Sequence, residues 1–226
     1  MIMKFVPVFF VSMFFVVGLS AQVTTLKNDI PESQYLAEEA KAKELIAKAN
    51  YRSVWTLDYF EDRSKNSKLS EKKLREVLLP NKWRTVEEKF YEKPTRDESI
   101  WDGKFLYSKT NDGPWEKWGR GNGSGSGGGV ESGQIKNQFR FLPSIDYEGG
   151  KADFYELVSV RTANKFSQTS YVVVKYIRTT RTWYSTDGKL LKKIEETMIE
   201  GREEMSRETS TYKYDPLDLT IEAPIK

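Results

Sequence analysis

The sequence predicts a mostly β domain, a sandwich or barrel of roughly nine or ten strands with one long helix in front. Three observations carry this expectation. Stretches of alternating apolar and polar residues recur along the chain, each bounded by a turn signal. Two of those signals are Asp-Gly pairs, Asp102-Gly103 and Asp187-Gly188, each set between β-branched and aromatic residues. A single long segment, Pro31 to Ala49, has the Ala, Glu, Lys and Leu content of a good helix.

The chain has 226 residues, and its first segment reads as a leader. Lys4, an apolar run from Phe5 to Leu19 and the small residues Ser20 and Ala21 fit a secretory signal peptide over 1–21, with a mature chain from Gln22. The run is short for a membrane-spanning helix, the alternative being an uncleaved anchor. It is not followed by the cysteine of a bacterial lipoprotein, so the expected location is periplasmic or secreted. The absence of cysteine means that an exported domain must hold together through its core. With 36 Lys and Arg against 33 Asp and Glu, no nucleic-acid partner is expected.

Histidine is absent as well. Ser-His-Asp hydrolysis, cysteine nucleophiles, His-ligated zinc hydrolysis and His-ligated haem are therefore excluded. Carboxylate pairs, Lys and Tyr remain, but no pair stands out from the acidic residues scattered over the chain. The expectation is a non-enzyme with no cofactor and no metal.

Asp29, Pro31 and Glu32 read as a helix start, and Tyr35, Ala42, Leu45, Ile46 and Ala49 as the stripe that packs on a sheet. A membrane-surface helix is the competing reading, and the alanine-rich stripe favours the sheet. Trp55, Leu57 and Tyr59 alternate with polar residues in a first strand over 53–61. Residues 70–79 fit either a helical face or a strand, and their place between strands favours a strand. Residues 82–91 form the next strand, followed by a hairpin through Asp102-Gly103 that puts Ile100, Phe105 and Tyr107 on one face.

Eight of the 15 glycines then fall between Gly119 and Gly133. Gly123, Gly125 and Gly128 match a dinucleotide fingerprint by spacing, but no strand leads in and no helix follows, so a flexible loop is expected over 119–133. Strands resume at 138–142 and 151–160, and the chain closes with strands at 208–214 and 217–222.

Around Asp187-Gly188 the longest hairpin, 171–199, should turn through a two-residue type I′ loop. That register sets Ser185 opposite Leu190, Arg181 opposite Ile194 and Ile177 opposite Met198. Val173, Ile177, Trp183, Leu190, Ile194 and Met198 then share an apolar face, expected to be covered. Arg178, Thr180, Thr182, Lys193, Glu195 and Thr197 make a polar face, expected to be wet, which Tyr176, Tyr184 and Ile199 interrupt.

Three stretches resemble the LolA-like superfamily of periplasmic lipoprotein carriers and lipid-binding proteins. They are Glu98, Ile100, Gly103 and Tyr107 with Trp115; Trp183-Tyr184-Ser185 with Asp187-Gly188, Leu190 and Lys192; and Tyr212, Tyr214 and Asp215 leading to Ile221 and Pro224. The resemblance implies a strongly curved antiparallel sheet or incomplete β-barrel of roughly nine to eleven strands, with the N-terminal helix packed against it. It implies a non-enzymatic carrier or sensor with a lipid or lipoprotein acyl chain in its concave face. The glycine-rich stretch departs from the family, whose members use short helices there as a lid.

The residues expected to line such a site are Trp55, Leu57, Tyr59, Phe105, Tyr107, Trp183, Ile194 and Met198. The plain alternative is that they fill a closed core against the helix. A second functional expectation is an envelope protein partner bound at an exposed sheet edge or at the aromatic region 101–118.

Overall fold

The computed structural model describes residues 28–61, 67–119, 134–167 and 170–225. The expected signal peptide and nearly all of the glycine-rich stretch lie outside the described residues. One helix, α1 (Glu32–Ala47), is followed by β1 (Tyr51–Phe60), β2 (Ser67–Leu78), β3 (Lys82–Lys89), β4 (Thr95–Trp101), β5 (Leu106–Thr110) and β6 (Glu116–Trp118). Then come β7 (Gln134–Tyr147), β8 (Gly150–Ser167), β9 (Ser170–Ser185), β10 (Leu190–Ile199) and β11 (Met205–Tyr214). All pairings are antiparallel, in one open sheet of order β6-β5-β4-β3-β2-β1-β11-β10-β9-β8-β7. Two meanders, β1–β6 and β7–β11, are thus joined by their first and last strands, with Tyr51 opposite Tyr214 and Phe60 opposite Met205. The ambiguous residues 70–79 fall in β2 but for Leu79.

The main core forms where α1 crosses the second meander. Tyr35 and Ala42 of the helix are buried on Phe139, Tyr155, Tyr184 and Leu190, with Ile46 packed alongside. Ring centroids lie 5.1 Å apart for Tyr35 and Phe139 and 5.5 Å apart for Tyr155 and Tyr184, spacings at which aromatic pairs gain energy beyond area burial. Thr180 and Thr182 are buried on the same face, small enough to let the helix approach. Asp29 is not the helix cap: Pro31 holds the N-cap position without a side-chain bond. Asp29 instead pairs in extended form with Arg140, and hydrogen bonds from Ile30 N to Phe139 O and from Phe141 N to Asn28 O cover part of the β7 edge.

The helix therefore covers the face expected to be wet. The central hairpin keeps two expected pairs, Arg181 with Ile194 and Ile177 with Met198, but Leu190 faces Tyr184, not Ser185. The loop is one residue longer than expected: Gly188 N bonds to Ser185 O, Ser185 N bonds to Lys189 O, and Gly188 alone takes a positive φ, of 88°. A register shift between Leu190 and Lys192 absorbs the difference and turns Leu190 to the helix side, away from Trp183, Ile194 and Met198. A two-residue turn with positive φ at both positions occurs instead at Glu148-Gly149, between the paired residues Tyr147 and Gly150.

The opposite face gains its order from charge. Arg140, Glu156, Arg181, Glu196 and Arg207 form a ladder over five strands, with successive N to O distances of 3.1, 3.0, 2.9 and 2.8 Å. A second ladder runs Asp218, Arg52, Glu76, Arg84, Glu98, and its Glu76 and Glu98 are buried. Arg181, Arg52 and Arg84 each engage two carboxylates, which lets charged side chains lie half-buried across a sheet.

Residues 217–222 do not form the expected strand. β11 already has β1 and β10 on its two sides, so after the turn at Asp215 no free edge is within reach. The tail lies across the first meander, burying Ile221 against Ile100 and Tyr107, and Lys82 Nζ bonds to Ile221 O at 3.4 Å.

Candidate ligand groove on the helix side of the sheet

Side chains alternate along each strand, so the helix-facing set can be followed across the ladder from β7 to β1. Beyond the end of α1 that carries Glu32, this face holds two contiguous cavities. One, of about 420 Å³, is lined by Ile135 of β7, Ser159 and Arg161 of β8, Tyr176 and Arg178 of β9 and Thr197 of β10. The other, of about 320 Å³, shares Tyr176 and Thr197 and continues over Ile199, Ser206 and Tyr59 to the strand ends at Phe60 and Met205, with Glu61 and Glu204 in its wall. A cavity that reaches from β9 to β1 over the intervening strands requires the sheet to curl toward this side. The helix side is therefore the concave one.

The two ends of this face differ in burial. Under the helix, burial pushes the Tyr155 hydroxyl up to about 12 and raises Tyr184 further, so both stay protonated and neutral. Away from the helix, Tyr59 and Ile135 are about half exposed, at 47% and 57%. Leu36, on the solvent side of the first helical turns, is 49% exposed next to a third cavity that also includes Ile135 and Arg178. Apolar side chains left open on a concave surface are the usual marker of a ligand site.

The eight sequence-nominated residues do not share one face. Trp55, Leu57 and Tyr59 lie on the helix side of β1; Tyr59 lines the groove, and Trp55 donates its Nε1 hydrogen to Glu208 Oε2 at 3.3 Å. Ile194 and Met198 point to the opposite side, paired with Arg181 and Ile177. Trp183 is there too, 5.0 Å from the Phe154 ring and 6.3 Å from Tyr147. Tyr107 packs with Ile100 beneath Ile221 of the tail, and Phe105, beside them, has Lys117 Nζ 4.0 Å from its ring centre. Tyr176, Ile199, Arg161 and Arg178 line the groove but were not nominated. For Tyr176, Arg178 and Ile199 the signal was present in the alternation of 171–199, where Tyr176, Tyr184 and Ile199 break the polar face.

No group of acidic residues among the described residues is arranged to hold a metal ion. No described helix is long and apolar enough to cross a membrane.

These features define the class of fold: an open, strongly curved antiparallel sheet of eleven strands with one helix on its concave face. No known family and no curated protein sequence matches the chain. Among solved structures it is similar to LprF from Mycobacterium bovis, at 12% identity and a TM-score of 0.42 over 87% of this chain and 99% of that one. It is also similar to a domain assigned to outer membrane lipoprotein sorting from Vibrio parahaemolyticus, at 8% identity and a TM-score of 0.27 over 83% of this chain and 93% of that one.

Proposed function

We propose that this chain is an exported, non-enzymatic binding protein that holds a lipid or other apolar ligand in the helix-side groove, in lipoprotein sorting or envelope sensing. The observation that carries the reading is the partial cover of the concave face. α1 closes one end over a tyrosine core, while the other end is left as two joined cavities with apolar side chains in contact with solvent. Burial of an alkyl chain there would contribute about 0.8 kcal/mol per methylene, so one long chain supplies useful affinity. In this reading Trp55, Leu57 and Tyr59 extend the ligand face, and Phe105, Tyr107, Trp183, Ile194 and Met198 stabilise the sheet from its other side.

The test is mass spectrometry of organic-soluble material released from protein purified from an envelope fraction, together with titration of the neutral fluorophore N-phenylnaphthylamine. The expected result is a bound lipid and saturable fluorescence that falls in Tyr176→Ala. Lipid-free protein with no saturable fluorescence overturns the reading.

A second reading, an envelope protein partner, is favoured by a row of cross-strand neighbours: Val77, Trp83, Trp101, Leu106 and Trp118. It ends at the exposed edge strand β6, where Trp118 is 51% exposed. Crosslinking of one specific envelope protein through position 118, with no lipid recovered, is the outcome that favours it.

A further inference from the structure

We propose that the groove selects an anionic amphiphile, whose acidic head is held by Arg161 and Arg178 and whose alkyl chain runs across the strands toward Tyr59. The proposal rests on the reading of the groove as a lipid site and adds the charge and the orientation of the ligand.

Within the two joined cavities the charged side chains are segregated, while the adjoining cavity under α1 that shares Arg178 carries Glu32, Glu39, Lys193 and Glu195. The β8–β9 end of the joined pair carries Arg161 and Arg178, and its β11–β1 end carries Glu204 and Glu61. Between them lie Tyr176, Thr197, Ile199 and Ser206, with no charged side chain among them. An acidic head is attracted to the first end and repelled from the second, while the middle offers apolar contact, so that one orientation is preferred. From Arg161 on β8 to Tyr59 on β1 the groove makes four strand steps of roughly 4.8 Å, or about 19 Å of sheet along which a chain can lie.

The two arginines are placed to act together. Arg161 is paired across the ladder with Tyr176, and Arg178 is two residues further along β9, opposite Ser159. Diagonal neighbours of this kind are separated by about 7 to 8 Å at their backbones, close enough for two long side chains to bracket one head group. Arg161 is half-buried, with Nε shielded from solvent. Arg178 is exposed and makes no ion pair among the described residues. In contrast to Arg178, the arginines Arg140, Arg181, Arg207, Arg52 and Arg84 on the opposite face are each engaged in the carboxylate ladders. A guanidinium stays charged at every working pH and offers a planar fork that fits carboxylate and phosphate alike.

The experiment is displacement of N-phenylnaphthylamine from the full mature chain by three ligands with the same oleyl chain: oleate, oleyl phosphate and neutral oleyl alcohol. In the parent protein one or both anions should displace the fluorophore at roughly tenfold lower concentration than the alcohol, and which anion is stronger identifies the head as carboxylate or phosphate. Arg178→Gln and Arg161→Gln should each bring the anions to within about threefold of the alcohol, the ratio being read within each variant so that any change in fluorophore affinity cancels, and Arg178→Lys should recover part of the preference. If Arg161→Gln fails to fold by its denaturant midpoint, Arg178→Gln with its lysine control decides alone. Equal displacement by anions and alcohol in the parent, or a preference that survives substitution, overturns the proposal and leaves the lipid site standing. Failure of the fluorophore to bind the parent removes the lipid site and this proposal with it.

Discussion

Replacing Tyr184 by alanine and, separately, its neighbour Trp183 by alanine tests which face of β9 is covered. Tyr184 is 4% exposed and packs edge to face on Tyr155, within the cluster that seats α1. Its removal takes a large ring out of that cluster and should cost about 3 to 5 kcal/mol. Trp183 is half-exposed on the other side and touches Phe154 and Tyr147, so its loss should cost about 1 to 2 kcal/mol. For a chain of this size each kcal/mol lowers the melting midpoint by roughly 2 to 4 °C, so Tyr184→Ala should fall by roughly 6 to 20 °C and Trp183→Ala by only a few. Urea unfolding followed by circular dichroism gives the same comparison in free energy. N-phenylnaphthylamine binding should survive in Trp183→Ala, whose ring is on the far side of the sheet from the groove. A larger loss of stability in Trp183→Ala than in Tyr184→Ala, accompanied by lost binding, would refute the assignment of faces.

Other outcomes follow from the same geometry. Tyr155 titrates near 10 in the unfolded chain and about 12 in the folded one, so its contribution is complete below pH 10 and is lost as pH rises toward 12. An alkaline unfolding curve should show this fall, and Tyr155→Phe should flatten it. Glu196 accepts from both Arg181 and Arg207, so Glu196→Ala should destabilise by about 1.5 to 3 kcal/mol, more than a surface pair, and a denaturant titration reads the difference. Gly188 has a φ of 88°, and a Cβ there would meet Lys41 Cε at 2.5 Å, so Gly188→Ala should cost about 1 to 2 kcal/mol by the same measurement.

Much of the fold is written locally. Period-two alternation in 51–60 and 151–160, Gly149 and Gly188 at turns, and the alanine-rich segment 32–47 each specify their element without help from the rest of the chain. The covered side of the sheet was not legible, because the usual rule equates the more aliphatic face with the buried one. Here tyrosine rings and threonines form the contact with α1. Isoleucine and methionine stand on the other face, between ladders of arginine and glutamate that satisfy one another. Alternation reports which residues share a face and is silent about which face meets the helix. The bulge that reverses Leu190 depends on one extra residue in the loop, which the Asp-Gly signal alone does not distinguish from a tighter turn. The tail was misread for a different reason. Leu217 to Ile221 alternates like a strand, but hydrogen-bonding edges are a property of the assembled sheet.

The joining of two meanders through β1 and β11 has a kinetic consequence. Every other strand pairing is between neighbours in sequence, whereas this one brings together residues roughly 150 positions apart. The hairpins can therefore assemble quickly and independently, and the seam between the halves is the slow, entropically expensive stitch. Pulse-labelled hydrogen exchange during refolding should find the β1 and β11 amides that bond across the seam protected last, and their protection together with the hairpin amides would contradict this order. Because Tyr59 of β1 and its partner Ser206 of β11 both stand in the groove wall, a ligand held there as proposed would grip both sides of the stitch and slow its reopening, acting as a fastener of the fold.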